Sequence, residues 1–197
     1  MGAWMRKLVY YVAVSIDGMI AGPGGEFDFY PEAPDMVEYL RAEFPETMPT
    51  HIRPGIGLEG VPNKRFSAVL MGRGTYKPAL DAGIASPYAH LRQYVFSTSL
   101  GEIADPGVEL ISGDPVAAVR ELKASDDQGD IWLCGGGKLA GTLLPEIDEL
   151  IFKTYPVVAG AGIPVFAGEL GARPFTPVDT RVFSHGGTIT TYRPSPQ

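Results

Sequence analysis

The sequence predicts an α/β protein with a mostly parallel central sheet and an antiparallel edge. Short apolar, β-rich segments alternate with segments of helical periodicity, which is typical of successive β-α-β units. The last two β-rich segments, residues 181–184 and 188–192, flank His185-Gly186-Gly187 with no helix between them. That pattern predicts a C-terminal hairpin.

The first half of the chain begins with residues 8–16, which are almost entirely apolar, as in a strand buried on both faces. Residues 31–44 predict a helix, with its apolar face formed by Ala33, Met36, Val37, Leu40 and Phe44. Residues 45–64 have little periodicity. Because so long a connection is uncommon in a compact domain, we expect a lid or substrate loop there.

The remaining elements alternate between strands and helices. The predicted strands are residues 66–71, 94–97, 108–111, 131–134 and 149–155. The predicted helices are residues 115–123 and 138–144, and Asp114 is positioned to cap the first of them.

Composition excludes several classes of protein. The length of 197 residues fits one domain, residues 1–197. The net charge of −7 argues against a nucleic-acid partner. No apolar segment approaches the ~20 residues that span a membrane, and we expect a cytoplasmic protein with no membrane partner.

The cysteine and histidine content predicts no metal site. Cys134 is the single cysteine, and its apolar surroundings favour a small buried residue over a nucleophile. His51, His90 and His185 lack metal-ligand spacing. Of the two tryptophans, Trp132 is expected in the core and Trp4 in packing near the N-terminus.

Three consecutive glycines, Gly135, Gly136 and Gly137, separate a predicted strand from a predicted helix. Free amides and the dipole at a helix N-terminus favour an anion, and glycines let a diphosphate approach the backbone. Alternatively, the glycines only permit tight strand–helix packing. The spacing fits neither a Walker A loop, because Trp132 and Leu139 replace required residues, nor a Rossmann fingerprint.

A second glycine turn, Gly72-Arg73-Gly74-Thr75, follows another apolar strand. The Arg73 guanidinium is suited to phosphate, and Thr75 supplies a hydroxyl near the expected helix start. An arginine in such a turn is alternatively a solvated surface residue. Two glycine turns after two strands together favour a nucleotide site.

The order of the segments SIDGMIAG, MGRGTY, VFSTS and CGGGKL resembles the dihydrofolate reductase-like superfamily. The segment PVVAGAGIPVF resembles the branch that contains the C-terminal reductase domain of bifunctional riboflavin-biosynthesis proteins, the RibD C-terminal domain. The resemblance extends from about residue 7 to residue 193. It implies a three-layer α/β/α fold that binds NADPH.

The resemblance also implies cofactor residues. Ala13, Ile20 and Ala21 would lie along the nicotinamide. Gly72, Arg73 and Thr75 would hold phosphates, with Ser97 and Thr98 near the adenosine. The diphosphate would be received by Gly135, Gly136, Gly137, Lys138 and Leu139. An arginine that often follows the serine pair is replaced here by Thr98 and Ser99, so NADH stays open beside NADPH.

The proton donor is harder to identify. Reduction of a C=N bond needs a proton delivered nearby. In dihydrofolate reductases an acidic residue on the first helix anchors the pterin, and Asp35 is the nearest match. Asp35 lies opposite the apolar face of its helix, on a stripe with Tyr39, so both residues could line a cleft or face water. Asp17 is either a turn residue or a contributor to the substrate pocket.

These observations predict an NAD(P)H-dependent reductase for a small heterocyclic, pterin- or pyrimidine-like substrate, with residues 17–25 and 45–64 closing over it. One alternative is a nucleotide-binding or regulatory module without catalysis. Another is an interaction protein in which residues 156–166 pack a symmetric dimer. A homodimer is also compatible with the reductase.

Overall fold

A computed structural model describes residues 5–169 and 171–196 of the chain; Trp4 lies outside them. The strands are β1 Leu8–Ser15, β2 Met19–Ala21, β3 Phe66–Gly72, β4 Arg92–Phe96, β5 Val108–Ile111, β6 Asp130–Gly135, β7 Glu149–Tyr155, β8 Ile163–Pro164, β9 Phe175–Val182 and β10 Thr188–Pro194. The helices are α1 Pro34–Glu43, α2 Arg73–Asp81, α3 Pro115–Ala124 and α4 Gly137–Leu143. Short 3₁₀ turns occupy Pro45–Thr47, Pro54–Ile56 and Leu144–Glu146.

The main sheet has eight strands in the order β5-β4-β3-β6-β1-β7-β10-β9. The pairings from β5 through β7 are all parallel, and β10 runs antiparallel to both β7 and β9. β2 and β8 form a separate two-stranded sheet. The predicted fold class, a mostly parallel sheet with an antiparallel C-terminal hairpin, is confirmed.

Helices cover both faces of the sheet. Because side chains alternate along a strand, Val9 and Tyr11 of β1 pack with α1 and α2, whereas Leu8 and Tyr10 pack with α3 and α4. The two apolar clusters give the expected three-layer arrangement. Trp132 is buried in the first cluster, as predicted, and donates from Nε1 to the carbonyl oxygen of Tyr11 at 2.9 Å.

Most boundaries differ from the sequence prediction by one or two residues, and two differ by more. α1 begins at Pro34 rather than at residue 31; both positions are prolines, which suit the first turn of a helix, so the residue type alone does not choose between them. β9 begins at Phe175, before the predicted start at residue 181. Most of its side chains are exposed, so no apolar alternation marks it. The short strands β2 and β8 have too few residues for any periodicity.

Residues 45–64 are anchored by two buried charged side chains, and closure of this segment over a substrate stays a prediction. The fully buried Glu46 carboxylate accepts hydrogen bonds from the amides of Arg65 and Phe66, both at 2.8 Å. The buried Arg53 donates to the carbonyl oxygens of Pro45 and Val61, both at 2.6 Å. These charge-assisted bonds fix the segment against the start of β3.

None of the helices in residues 5–169 and 171–196 is long and apolar enough to cross a membrane.

Candidate active site

A cleft of about 1150 Å³ opens where the parallel strands β3, β4 and β6 end. In open α/β sheets, ligands bind in the crevice beyond the carboxyl ends of the strands. The turns after these three strands supply much of the cleft wall, including Gly72, Arg73, Thr75, Ser97, Thr98, Gly135, Gly136, Gly137, Lys138 and Leu139.

The two glycine turns meet each other inside the cleft. A Cβ atom on Gly135 would lie 3.2 Å from Thr75 Oγ1 and 4.0 Å from the end of Ile20. The bond between Gly135 and Gly136 is a cis peptide. α2 begins at Arg73, directly beside this contact, and its first amides have no partner within the helix. The first amides of α2 and the Thr75 hydroxyl therefore lie next to the backbone of Gly135, which has no side chain to block them.

Gly137 has a packing role that the other two glycines lack. A Cβ atom there would overlap the carbonyl oxygen of Pro164, and one on Gly141 would overlap that of Ala167. The Gly137 carbonyl oxygen also accepts from the Ala167 amide at 2.9 Å. The alternative of tight packing thus applies to Gly137, although this residue also lines the cleft.

A polar rim closes the cleft at the turn after β4. The exposed Arg73 donates from Nη1 to Ser99 Oγ at 2.9 Å. Ser97 Oγ accepts from the Leu100 amide at 2.9 Å and thereby shapes the turn. Ser99 lines the cleft together with Thr98. Ser99 was not assigned to the site from the sequence, because only its hydrogen bond with Arg73 marks it as a site residue.

The chemistry of this lining fits a dinucleotide. Arg73, Lys138 and the hydroxyls of Thr75 and Ser99 are donors suited to phosphate oxygens. Apolar side chains suited to flat rings complete the wall, among them Val12, Ile20, Met71, Phe96, Ile111 and Leu139. Cofactor sites are commonly built in this way, with few polar groups on a largely apolar surface.

Ala13 is the only predicted cofactor residue that does not line the cleft. It lies on β1 directly after Val12, which does. Its carbonyl oxygen accepts from the Tyr30 hydroxyl at 3.4 Å. Since successive residues of a strand point to opposite faces, Ala13 belongs to the face that carries α1 and α2.

Asp35 and Tyr39, the predicted catalytic and substrate residues, are not among the residues that line the cleft. The exposed Asp35 carboxylate accepts from the amide and the hydroxyl of Ser184, both at 2.8 Å, and these bonds lower its pKa. Tyr39 packs under the Arg181 guanidinium, whose carbon lies 4.5 Å from the ring centre. Both residues join α1 to the C-terminal hairpin, and their role at the substrate stays a prediction.

Asp17 is also absent from the cleft lining and acts as the turn residue that was the alternative. Its carboxylate accepts from Ser15 Oγ at 2.6 Å and from the amides of Ala159 and Gly160 at 2.9 and 2.7 Å. These hydrogen bonds, with Ser15 the largest contributor, lower the pKa of Asp17 to about 2. Residues 156–166 are therefore tied to the loop after β1 in the same chain.

The inner end of the cleft contains Tyr88 and Cys134, which the sequence analysis did not assign to the site. Burial raises the pKa of the Cys134 thiol to about 12, so the thiol stays neutral, as expected for a small apolar residue. Among the described residues, no three His, Cys, Asp or Glu side chains lie together as a metal site requires.

Comparison with solved structures identifies the fold. The structure matches a protein from Shewanella sp. PV-4 assigned to riboflavin biosynthesis, with a TM-score of 0.70, 22% identity, and 97% of this chain and 100% of that chain covered. It matches dihydrofolate reductase from Enterococcus faecalis, solved with NADP(H) and RAB-propyl, with a TM-score of 0.65, 15% identity, and coverage of 96% and 97%. The fold is that of the dihydrofolate reductase-like superfamily.

A bifunctional protein has the same fold in part of its chain. The diaminohydroxyphosphoribosylaminopyrimidine deaminase/5-amino-6-(5-phosphoribosylamino)uracil reductase of Thermotoga maritima matches with a TM-score of 0.64 and 18% identity. The match covers 97% of this chain and 57% of that one. The resemblance to the riboflavin-biosynthesis reductase branch is thereby confirmed at the level of the fold.

Sequence comparison identifies the family. No family model matches the chain. YwjB of Bacillus subtilis (strain 168), an uncharacterized protein, is 32% identical over 163 residues, which cover 82% of this chain and 83% of YwjB. YyaP of the same organism, also uncharacterized, is 29% identical over 188 residues, with coverage of 92% and 91%. The chain belongs to the family of YwjB.

Proposed function

We propose that this protein is an NAD(P)H-dependent reductase of a small heterocyclic, pterin- or pyrimidine-like substrate. The observation that carries the proposal is the convergence of the two glycine turns, the Arg73–Ser99 pair and an apolar wall on one cleft. The reductases among the solved structures of the same fold, one of them in complex with NADP(H), support this choice of cofactor and reaction.

Different residues of the cleft would bind different parts of the cofactor. The backbone at Gly135 and Gly136, with Thr75 and the first amides of α2, would hold the diphosphate. Arg73 and Ser99 would bind the phosphate on the adenosine ribose, while the apolar wall would exclude water from the rings. When bound, the reduced nicotinamide supplies a hydride, and the protein supplies orientation and the accompanying proton.

A titration of NADPH fluorescence tests the proposal. Saturable binding is expected for the native protein, and its absence would refute the proposed function. In Arg73→Gln, NADPH affinity should fall about tenfold, because an exposed charge-assisted bond contributes near the lower limit of about 1.5 kcal/mol. NADH affinity should change by less than about twofold. Equal losses for both cofactors would refute the role of Arg73.

Lys77→Gln is the matched control for Arg73→Gln. Lys77 lies on the exposed side of α2, where it pairs with Asp81 at 2.6 Å, and it does not line the cleft. The substitution removes one positive charge from the same helix. Cofactor affinity should therefore be unchanged, which separates a specific contact of Arg73 from a general effect of charge.

A non-catalytic nucleotide-binding module is the second candidate, and one observation favours it. No aspartate or glutamate is among the described residues that line the cleft, so the cleft lacks a carboxylate proton donor. Oxidation of NADPH in the presence of small heterocycles with C=N bonds distinguishes the two candidates. Saturable NADPH binding with no oxidation by any such compound would favour the binding module.

A further inference from the structure

Lys153 occupies an unusual position in the central sheet. It lies on β7, where it is paired with Ala13 of β1 on one side and with Ile189 of β10 on the other. The ammonium Nζ lies 4.3 Å from the centre of the Tyr11 ring, close enough for a cation–π contact.

The Lys153 ammonium has no anionic partner. Nζ makes no hydrogen bond or ion pair with any residue in 5–169 or 171–196, although the side chain is half-buried among apolar groups. Burial lowers the pKa of Lys153 to about 8, and the nearby Cys134 acts weakly in the opposite direction. Nζ is not one of the fully buried polar atoms without a partner, so it keeps access to solvent, and a partly buried ammonium with a lowered pKa is a candidate functional group.

Lys153 is not itself among the residues that line the cleft, but it is a neighbour of one that is. The positive charge of Lys153 acts to lower the pKa of the Cys134 thiol, which shows that the two groups are close. Cys134 and Tyr88 both line the cleft. Tyr10 is paired with Leu133 in the register of β1 and β6, which brings Tyr11 next to Cys134. Lys153 therefore stands next to Ala13 in the sheet, on the side away from the glycine turns.

Other ionisable groups near Lys153 remain neutral around pH 8. They are the Cys134 thiol and the phenols of Tyr11, Tyr39, Tyr88 and Tyr155. Burial raises the pKa of each of these groups above its usual value. On the side of β10, the His185 ring packs edge-on against Tyr155 with their centres 6.0 Å apart. A proton released near pH 8 in this region would come from Lys153.

We propose that Lys153 contacts the substrate and gives it the proton that accompanies reduction. The proposal rests on the proposed function, which supplies NAD(P)H as the reductant. As the hydride bonds to the carbon of a C=N group, the π electrons move to nitrogen, which takes a proton from Nζ. The substrate gains one C–H and one N–H bond, and the neutral amine regains a proton from solvent.

Single-turnover reduction of 7,8-dihydropterin, a small heterocycle with a C=N bond, tests the role of Lys153. Lys153→Met should slow the step about 100-fold or more with NADPH affinity unchanged. Lys153→Arg should be equally slow, because arginine keeps the charge but does not release its proton. The native rate should fall as the pH rises through about 8, where Lys153 loses its proton. A rate in either variant within threefold of the native rate would overturn the proposal.

Trace acetylation followed by mass spectrometry gives a readout that is independent of activity. In the native protein, Lys153 should titrate near pH 8. NADP⁺ together with 7,8-dihydropterin should protect Lys153 and leave Lys77 unchanged. An ordinary titration of Lys153 without protection would overturn the proposal, even if the Lys153 variants failed to fold.

The two proposals fail in different ways. Absence of saturable NADPH binding would refute the reductase itself. Saturable NADPH binding and turnover, combined with an unprotected Lys153, would refute the role of Lys153 alone. Lys77→Gln, which should leave binding and rate unchanged, is the control for both measurements.

Discussion

Replacing Glu46 with alanine would remove the acceptor that holds residues 45–64 against β3. The carboxylate is fully buried, and three consecutive amides donate to it: Lys64 at 3.3 Å, and Arg65 and Phe66 at 2.8 Å. Alanine leaves these amides without a partner. A buried donor without a partner costs free energy comparable to the lost bond, so the cost should appear in the free energy of unfolding.

The two short hydrogen bonds determine the size of the effect. A hydrogen bond to a charged group contributes about 1.5–3 kcal/mol, so the pair contributes roughly 3–6 kcal/mol. Water entering the vacated space would solvate the amides in part, so we expect a loss near 3 kcal/mol. For a chain of this size, each kcal/mol corresponds to about 2–4 °C, which predicts a fall in Tm of roughly 6–12 °C.

Urea unfolding monitored by circular dichroism measures this loss. Glu43→Ala is the matched control, because Glu43 is half-exposed and pairs only loosely with Lys64 at 3.6 Å. Its removal should cost less than about 1 kcal/mol. A loss below about 1 kcal/mol in Glu46→Ala would refute the reasoning and restore residues 45–64 as a weakly held loop.

Two further predictions concern Asp35 and Asp17, whose carboxylates are not part of the cleft lining. Asp35→Asn should leave turnover and NADPH affinity unchanged. It should speed amide hydrogen exchange at Ser184, because the carboxylate accepts from that amide. A tenfold loss of turnover would instead support a catalytic role for Asp35. The pKa of Asp17 lies near 2, below its usual 3.8, so its contribution to stability is complete above pH 3.8 and is lost as the pH falls through 2. A carboxyl titration of Asp17 by NMR, with the amides of Ala159 and Gly160 as reporters, should have its midpoint near 2, and a midpoint near 3.8 would contradict the contacts.

The glycine turns could be predicted because their signal is local. Gly72-Arg73-Gly74-Thr75 and the three glycines after β6 each follow an apolar strand directly, so their place at the carboxyl edge follows from the chain order. Parallel strands bring such turns to one side of a sheet, whichever residues lie between them. Most of the cleft wall that these turns form could therefore be predicted from the sequence.

The carboxylates could not be assigned in the same way, because distant residues determine what they bind. The partner of Asp35 lies 149 residues away, and that of Asp17 lies 143 residues away at Gly160. Local sequence patterns give no information about hydrogen bonds between residues so far apart in the chain. Lys153 is a single positive charge within an apolar strand, which is a weak local signal. Only the register of β7 with β1 shows that this charge lies beside Ala13.

The contact of α4 with residues 164–167 has a consequence for how this family can vary. Main-chain atoms set the distance at two points, since Gly137 faces the Pro164 carbonyl and Gly141 faces that of Ala167. Between these points, Val165 and Phe166 pack into the apolar cluster that α4 also joins. A side chain at either glycine would push the helix away from the segment and displace the glycine backbone beside the cleft. Selection should therefore act on the two glycines.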